Sequence, residues 1–309
     1  MKPSIFIDGE HGTTGLQIRE RLANRNDLNI LSLDVEDRRD NEKRAQMLGK
    51  CNVAILCLPD DASREAVAMV EAAGNDCAII DTSTAHRTHE GWTYGFAELN
   101  KKQKDKIKNS KRVSNPGCFP TGAIALLKPL IKTGVMPRDL PVTINAVSGY
   151  TGGGKQLIAQ MEDASNEAHI ETSFHLYGLE LQHKHVPEIM SRSGLKRRPI
   201  FMPSVGRFSQ GMLVSIPVFL EHLSYATPET VRGAIEVYYD DSEFVSVADK
   251  DENPKHIRPE DYAGRDDIKL WVMGNEEAGH VNLIAQLDNL GKGASGAAVQ
   301  NLNLILDQA

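Results

Sequence analysis

The chain predicts an α/β protein in which a doubly wound parallel-sheet domain precedes an α+β domain built on a largely antiparallel sheet. Three observations predict it. Strand-like and helix-like segments alternate over the first ~120 residues, which implies right-handed parallel crossovers. A glycine-rich turn lies directly between the first strand and the first helix. After Pro120 the alternation gives way to strands with fewer intervening helices.

Each element follows from its pattern. Ser4–Ile7 is a short β-type run, and Leu16–Arg25 carries helical spacing through Leu16, Ile18 and Leu22. Leu28–Leu33 predicts a second strand. The continuous apolar run Val53–Leu58 predicts a strand buried on both faces. Ala62–Ala73 has a helical period, and Ala78–Ile80 is a further strand. Beyond Pro120, Gly122–Leu130 predicts a helix ended by Lys132-Thr133-Gly134. Pro141–Val147, Met212–Phe219, Lys269–Met273 and His280–Leu287 predict strands. Thr227–Tyr239 predicts a helix entered at Thr227-Pro228, and Ala294–Leu306 a last helix returning to the first domain.

Composition narrows the function. With 309 residues the chain is long enough for two domains and a large core. Its net charge of −7 is poorly suited to nucleic acid, which needs a basic face. The basic run Lys101–Arg112 is expected to be a solvated helix or loop. No stretch approaches the ~20 apolar residues of a membrane span. The N-terminus enters a strand without an apolar signal core, so a cytoplasmic location is expected. Cys51, Cys57, Cys77 and Cys118 are too few and too irregularly spaced for a disulfide framework or a zinc site. They are expected as free thiols, with no metal.

The turn Gly9-Glu10-His11-Gly12-Thr13-Thr14-Gly15 fits G-x-x-G-x-x-G. Its glycines permit a tight turn, and its amides with the helix N-terminus suit a pyrophosphate. Gly9, Gly12, Thr13, Thr14 and Gly15 are therefore candidate dinucleotide contacts. Asp34, 19 residues after Gly15, would favour NAD through a ribose hydroxyl. Arg38 and Arg39 follow, and their guanidinium forks suit the 2′-phosphate of NADP. The segment Gly291-Lys292-Gly293-Ala294-Ser295-Gly296 opens the last helix. Gly293 could present an amide to the cofactor, or the segment could serve small-residue packing.

The sharpest feature is Ser114-Asn115-Pro116-Gly117-Cys118-Phe119-Pro120-Thr121-Gly122. Pro116 and Gly117 make a turn, and Pro120 fits the first turn of a helix, which places Cys118 at a helix N-terminus. The dipole and unsatisfied amides there favour a thiolate nucleophile. The other three cysteines are expected to be small buried side chains. His183-Lys184-His185-Val186-Pro187-Glu188 offers His183 and His185 as proton partners, sharing one face of an extended segment. Ser148-Gly149-Tyr150-Thr151-Gly152-Gly153-Gly154-Lys155 precedes a helix-like run and could hold a phosphate, with Gly153 and Lys155 as candidates. Its spacing does not suit a nucleoside triphosphate.

These segments together resemble the N-acetyl-gamma-glutamyl-phosphate reductase family in its shorter form, over essentially the whole chain. The resemblance rests on GEHGTTG (9–15), DTSTAHR (81–87), YGFAEL (94–99), SNPGCFPTG (114–122), SGYTGGGK (148–155), HKHVPEI (183–189) and KGASGAAVQNLN (292–303). It implies a Rossmann-type NADP(H) domain over 1–118 and 292–309, and a catalytic and dimerisation domain over 119–291. It implies reduction of N-acetyl-glutamyl 5-phosphate to the 5-semialdehyde and phosphate, in arginine biosynthesis, through a thioester on Cys118. The small-molecule partners are then the acyl phosphate and inorganic phosphate, in a homodimer or homotetramer. It places the family's histidine in the His183/His185 pair and its arginine at Arg87, and Asn115 joins Arg87, Gly153 and Lys155 as a substrate contact. Ala85-His86 replace the acidic and aromatic residues that the longer family form carries before that arginine. The alternatives are a related acyl-phosphate reductase, such as an aspartate-semialdehyde dehydrogenase, and a non-catalytic Rossmann-fold binding protein.

Overall fold

The computed structural model describes residues 2–224 and 226–307, so Met1, Gln308 and Ala309 of the expected first domain lie outside the described residues. The chain divides into two units, Met1–Gly117 with Ala294–Ala309, and Cys118–Gly293.

In the first unit the chain runs β1 (Ser4–Asp8), α1 (Thr13–Leu22), β2 (Asn29–Leu31), α2 (Asn41–Lys50), β3 (Val53–Leu56), α3 (Asp60–Ala73), β4 (Ala78–Asp81), β5 (Thr93–Tyr94), α4 (Gln103–Lys108) and β6 (Arg112–Ser114). The strands pair in the order β2-β1-β3-β4-β6-β5, all parallel. Side chains alternate between the two sheet faces. Ile5, Ile7, Val53, Ile55 and Ile80 therefore meet Ile18 and Leu22 of α1. Phe6, Ala54, Leu56 and Ile79 meet Leu48 of α2 and Ala66 and Val70 of α3 on the other face. Both faces are covered, which is why β3 and β4 are buried at every position.

Helix α2 has no strong apolar stripe, and the sequence pattern did not predict it. Asp40 caps it, accepting from the amides of Glu42 and Lys43 at 2.9 and 3.2 Å. A buried ion pair then ties it to the sheet, with Arg44 Nη2 2.9 Å from Asp8 Oδ2. Within the basic run at 101–112, α4 takes Gln103–Lys108, β6 begins at Arg112, and the remaining residues are turns and loop.

In the second unit the elements are α5 (Cys118–Thr133), β7 (Thr143–Gly149), α6 (Gly154–Glu162), β8 (Phe174–Leu176), α7 (His185–Ser193), β9 (Ile200–Gly206), β10 (Met212–Phe219), α8 (Pro228–Tyr239), β11 (Val245–Val247), β12 (Ile268–Asn275) and β13 (His280–Leu287). The sheet order is β11-β12-β13-β10-β7-β9-β8. β12–β13, β13–β10, β10–β7 and β9–β8 are antiparallel, whereas β7–β9 and β11–β12 are parallel. Strand β9 was not predicted, because Pro203 interrupts its pattern and proline donates nothing to a ladder.

Helix α5 lies directly on this sheet. A Cβ on Gly122 would come within 2.9 Å of Val214 and 3.2 Å of Ala285, so only glycine permits this approach to β10 and β13. Pro129 sits inside α5 and cannot donate to the carbonyl of Ala125, four residues earlier. The hydroxyl of Tyr239 on α8 donates to that carbonyl instead, at 3.0 Å. Past β13 the chain makes one π-helical turn, Gly291–Ser295, into α9 (Gly296–Leu306), which packs on α1, α4 and β4 in the first unit.

Candidate active site

Cys118 is the first residue of α5 and is half-buried, so its sulfur lies at the end of a 16-residue helix where the N–H groups lack partners in the helix. The helix thus starts four residues earlier than the apolar period indicated, and Pro120 falls in its first turn, where no amide is needed. Beside the cysteine stands Gly293. A Cβ there would come within 2.9 Å of the Cys118 Cβ. The Gly293 amide donates to the Asp288 carbonyl at 2.9 Å. Gly293 thus stands in the surroundings of the nucleophile, where its missing side chain leaves room for the cysteine.

The two histidines do not lie on an extended segment. Lys184 has helical dihedrals and His185 opens α7, which carries Pro187 in its first turn and ends at Gly194 with φ +96°. Proline is at home in a first helical turn and a left-handed glycine ends a helix, so this segment satisfies helix rules that its H-x-H spacing concealed. The rings nevertheless converge, with centroids 4.7 Å apart. The ring of Phe119, next to the nucleophile, lies 6.3 Å from His183 and 6.0 Å from His185. Helix α7 packs against α5, and that packing brings Cys118, Phe119 and the histidines into one region of the second unit.

His183 and His185 differ in their surroundings. The His185 amide donates to His183 Nδ1 at 3.1 Å, so His183 carries its proton on Nε2. Burial, with the charge of Lys184 beside it, pushes the His183 pKa down to about 4. His185 is 8% exposed. Tyr177, which sequence patterns did not single out, lies 5.7 Å ring to ring from His183. Burial, followed by the negative charge of Cys118, raises its hydroxyl pKa. Tyr177 sits just past the edge strand β8, in a stretch with no periodicity to mark it.

Two expected substrate contacts, Arg87 and Asn115, are buried in the first unit. Arg87 is 7% exposed, with Nε donating to the Asn115 carbonyl at 3.0 Å and Nη2 to the Thr82 carbonyl at 2.8 Å. Asn115 is 1% exposed, its Nδ2 donating to the Ala294 carbonyl at 2.9 Å and its Oδ1 accepting from Asn301 at 3.0 Å. Both therefore hold the Asn115-Pro116-Gly117 turn inside the first unit, an arrangement of four distant segments that no local pattern encodes. Preceding Arg87, the buried Asp81 accepts from Ser63, Ser83 and His86 at 2.6–2.9 Å. Burial opposes the charge of Asp81, yet these hydrogen bonds outweigh it and keep the carboxyl below its ordinary range. Gly153 and Lys155 are exposed where a 3₁₀ turn leads into α6. The amides of Tyr150 and Thr151 tie that turn to the carbonyls of Phe208 and Ser209.

The first unit carries the cofactor candidates. The turn at Gly9 follows β1, and Cys57 follows β3, the two strands at which the sheet order reverses; open α/β sheets bind ligands at such a switch point. Gly9 has φ +89°, and a Cβ there would lie 2.4 Å from the Cys57 carbonyl oxygen. A Cβ on Gly15 would lie 2.4 Å from the Gly9 carbonyl oxygen. Helix α1 begins at Thr13, so Thr13, Thr14 and Gly15 present its first amides. His11 Nε2 and Thr13 Oγ1 are buried without a hydrogen-bond partner, and His11 Nε2 lies 3.9 Å from Glu10 Oε1. At the end of β2 stands Ser32, whose Oγ accepts from Arg19 Nη1 at 2.9 Å and donates to Glu10 at 3.2 Å. Asp34, Arg38 and Arg39 follow as exposed residues of an irregular segment.

Comparisons with known proteins agree with this organisation. The family model described as semialdehyde dehydrogenase, NAD binding domain, matches residues 20–107, and that of the semialdehyde dehydrogenase dimerisation domain matches residues 118–289. The N-acetyl-gamma-glutamyl-phosphate reductase of Brucella anthropi is 57% identical over 310 residues, covering 99% of both chains. That of Rhizobium meliloti is 57% identical over 309 residues, with the same coverage. Among solved structures, aspartate semialdehyde dehydrogenase II from Vibrio cholerae, complexed with ASA, aligns with a TM-score of 0.73 at 15% identity over 99% of both chains. Aspartate semialdehyde dehydrogenase with NADP from Candida albicans aligns with a TM-score of 0.67 at 13% identity, over 100% of this chain and 99% of that one. At such identities the solved structures establish the fold. No helix among the described residues is long and apolar enough to cross a membrane.

Proposed function

The chain belongs to the N-acetyl-gamma-glutamyl-phosphate reductase family, and from that premise we infer that Cys118 carries the family's reaction as a covalent nucleophile. The enzyme is an NADP-dependent oxidoreductase of arginine biosynthesis, reducing N-acetyl-L-glutamyl 5-phosphate to the 5-semialdehyde with release of phosphate. The observation that carries the mechanism is the placement of Cys118 at the N-terminus of α5, beside Gly293 and next to the ring of Phe119 that both histidines approach.

The Cys118 thiolate attacks the acyl carbon and phosphate leaves, forming a thioester and dividing one difficult reduction into easier steps. NADPH, when bound, supplies the hydride that reduces this thioester. The oxyanions on either side of the thioester are stabilised by the amides at the head of α5. His183, neutral and protonated on Nε2, donates a hydrogen bond to the thiohemiacetal oxyanion, which collapses to the aldehyde as the Cys118 thiolate leaves. His185 orients the substrate. Arg87 and Asn115 act through the turn that leads to Cys118, and Gly153 with Lys155 remain the candidates for the phosphate.

His11 and Thr13 complete the pyrophosphate site formed by Gly9, Gly12, Thr14 and Gly15. Ser32 and Arg19, with Arg38 and Arg39 beyond them, hold the 2′-phosphate. Neutral Ser32 directly follows β2, nearer the strand end than the exposed Asp34, the carboxylate that would favour NAD.

The second unit is a dimerisation domain by its family. A homodimer, or a homotetramer built from it, covers the open face of its sheet. That face carries Pro217 and Phe219 of β10 beside Met273 and His280, around a hollow of about 740 Å³. The cytoplasm suits an enzyme that depends on a reduced cysteine.

Phosphate-dependent reduction of NADP by N-acetyl-glutamate 5-semialdehyde tests the assignment. Turnover with that aldehyde, and none with Cys118→Ser, is expected; a preference for aspartate semialdehyde would overturn it.

A further inference from the structure

Three of the four cysteines lie outside this chemistry, and two of them are a pair. Cys51 Sγ lies 3.2 Å from Cys77 Sγ, and both side chains are buried in the first unit, at 4% and 2% exposure. Cys51 caps the C-terminus of α2, two residues before β3, and Cys77 directly precedes β4. β3 and β4 are parallel neighbours in register at Val53 and Ala78, so the two thiols meet at the N-terminal edge of the sheet. We propose that Cys51 and Cys77 are a redox pair that closes to an internal disulfide and locks the base of the cofactor domain without disturbing cofactor binding.

Closure is a small movement. A disulfide has an S–S distance of about 2.05 Å, so the sulfurs approach by about 1 Å. The Cys51 thiol donating to Cys77 favours the thiolate at Cys77, and Arg112 and Lys111 favour it further. Hydrogen peroxide is compact enough for a buried site. The Cys77 thiolate attacks one peroxide oxygen, breaking the O–O bond and leaving a sulfenic acid as the first water departs. The Cys51 sulfur then displaces the second oxygen as water, forming the S–S bond. Two thiols and one peroxide become one disulfide and two waters.

The effect follows from position. The Gly9 turn and Asp81 lie at the C-terminal edge of the parallel sheet, a strand length of about 13 Å from the thiols. The disulfide ties the two ends of the unit formed by β3 and α3, a long loop whose closure restricts the unfolded chain. Oxidation therefore stabilises the domain and leaves its ligand edge alone.

The test uses full-length Cys118→Ser protein, which retains three thiols. Dilute hydrogen peroxide should lower the intact mass by about 2 Da and reduce the denatured thiol count to a single group, reversibly with dithiothreitol. Peptide mapping should find Cys51 joined to Cys77. The melting temperature should rise by about 5 °C, with NADPH affinity by fluorescence unchanged within about twofold. The same treatment of Cys118→Ser/Cys51→Ala should give no 2 Da loss. A mass gain from added oxygen with Cys51 and Cys77 unlinked, or a disulfide that weakens NADPH binding, overturns the proposal. Mass and mapping do not depend on how the cofactor is held, so failure of the cofactor assignment would be distinguishable.

Discussion

His183 accepts the backbone amide of His185 on its Nδ1, at 3.1 Å. One bond thereby satisfies the first amide of α7 and selects the tautomer of the histidine whose ring lies 5.7 Å from Tyr177. It also separates two residues that are equivalent in the sequence motif. Asparagine can accept the same amide, so His183→Asn should fold and still lose kcat by about 10²–10⁴. His185→Asn should mainly raise KM for the acyl phosphate. Steady-state kinetics on both variants checks this, and equal effects on kcat would remove the distinction.

The depressed pKa of His183 has a consequence for stability. Its folded value of about 4 lies below the ordinary histidine value near 6.5, so the unfolded chain binds the proton more readily. No penalty exists above pH 6.5, and stability is lost as pH falls from 6.5 towards 4. At pH 4.5 the loss is on the order of 2 kcal/mol. Urea unfolding at pH 7 and 4.5 should show a smaller difference in His183→Asn than in the parent. Equal differences would show that another group governs the decline.

Cys118→Ser replaces a readily ionised thiol by an alcohol at the head of α5. Activity should fall by a factor on the order of 10³ or more, with an unchanged circular dichroism spectrum. Iodoacetamide should inactivate the parent by labelling Cys118, since Cys57 is held protonated by burial with a pKa of about 12. Modification at Cys57 accompanying inactivation would contradict this.

Ser32→Asp places a carboxylate at the end of β2. It should weaken NADPH binding by at least about tenfold and leave NADH binding equal or improved. Replacing Arg38 and Arg39 by Ala should raise KM for NADPH more than for NADH, by about 1.5–3 kcal/mol for each charge-assisted bond lost. Titration with both nucleotides separates these contributions, and equal effects on the two cofactors would place the 2′-phosphate elsewhere.

Tyr239→Phe tests the scaffold of the nucleophile. Without the hydroxyl the Ala125 carbonyl loses the donor that Pro129 cannot supply. The cost should be about 1–3 kcal/mol in urea unfolding, with KM for both substrates unchanged. Normal stability would mean that the carbonyl finds another donor.

Local pattern by itself determined much of this protein. The apolar run at 53–58, the turn 9–15 and the alternation around them define a parallel sheet, since those signals depend on neighbours in the chain. SNPGCFPTG identifies the nucleophile because a turn, a cysteine and a proline in a first helical turn are all local features. Tertiary structure decided the rest. Whether Arg87 and Asn115 face a ligand depends on Thr82, Ala294 and Asn301, partners that lie up to 186 positions away in the chain but adjacent in space. Gly293 was legible as a small residue, yet its duty to leave room for Cys118 appears only when β13 returns beside α5. The state of His183 is likewise set by burial and by one amide, and these are properties of packing that a sequence motif does not carry.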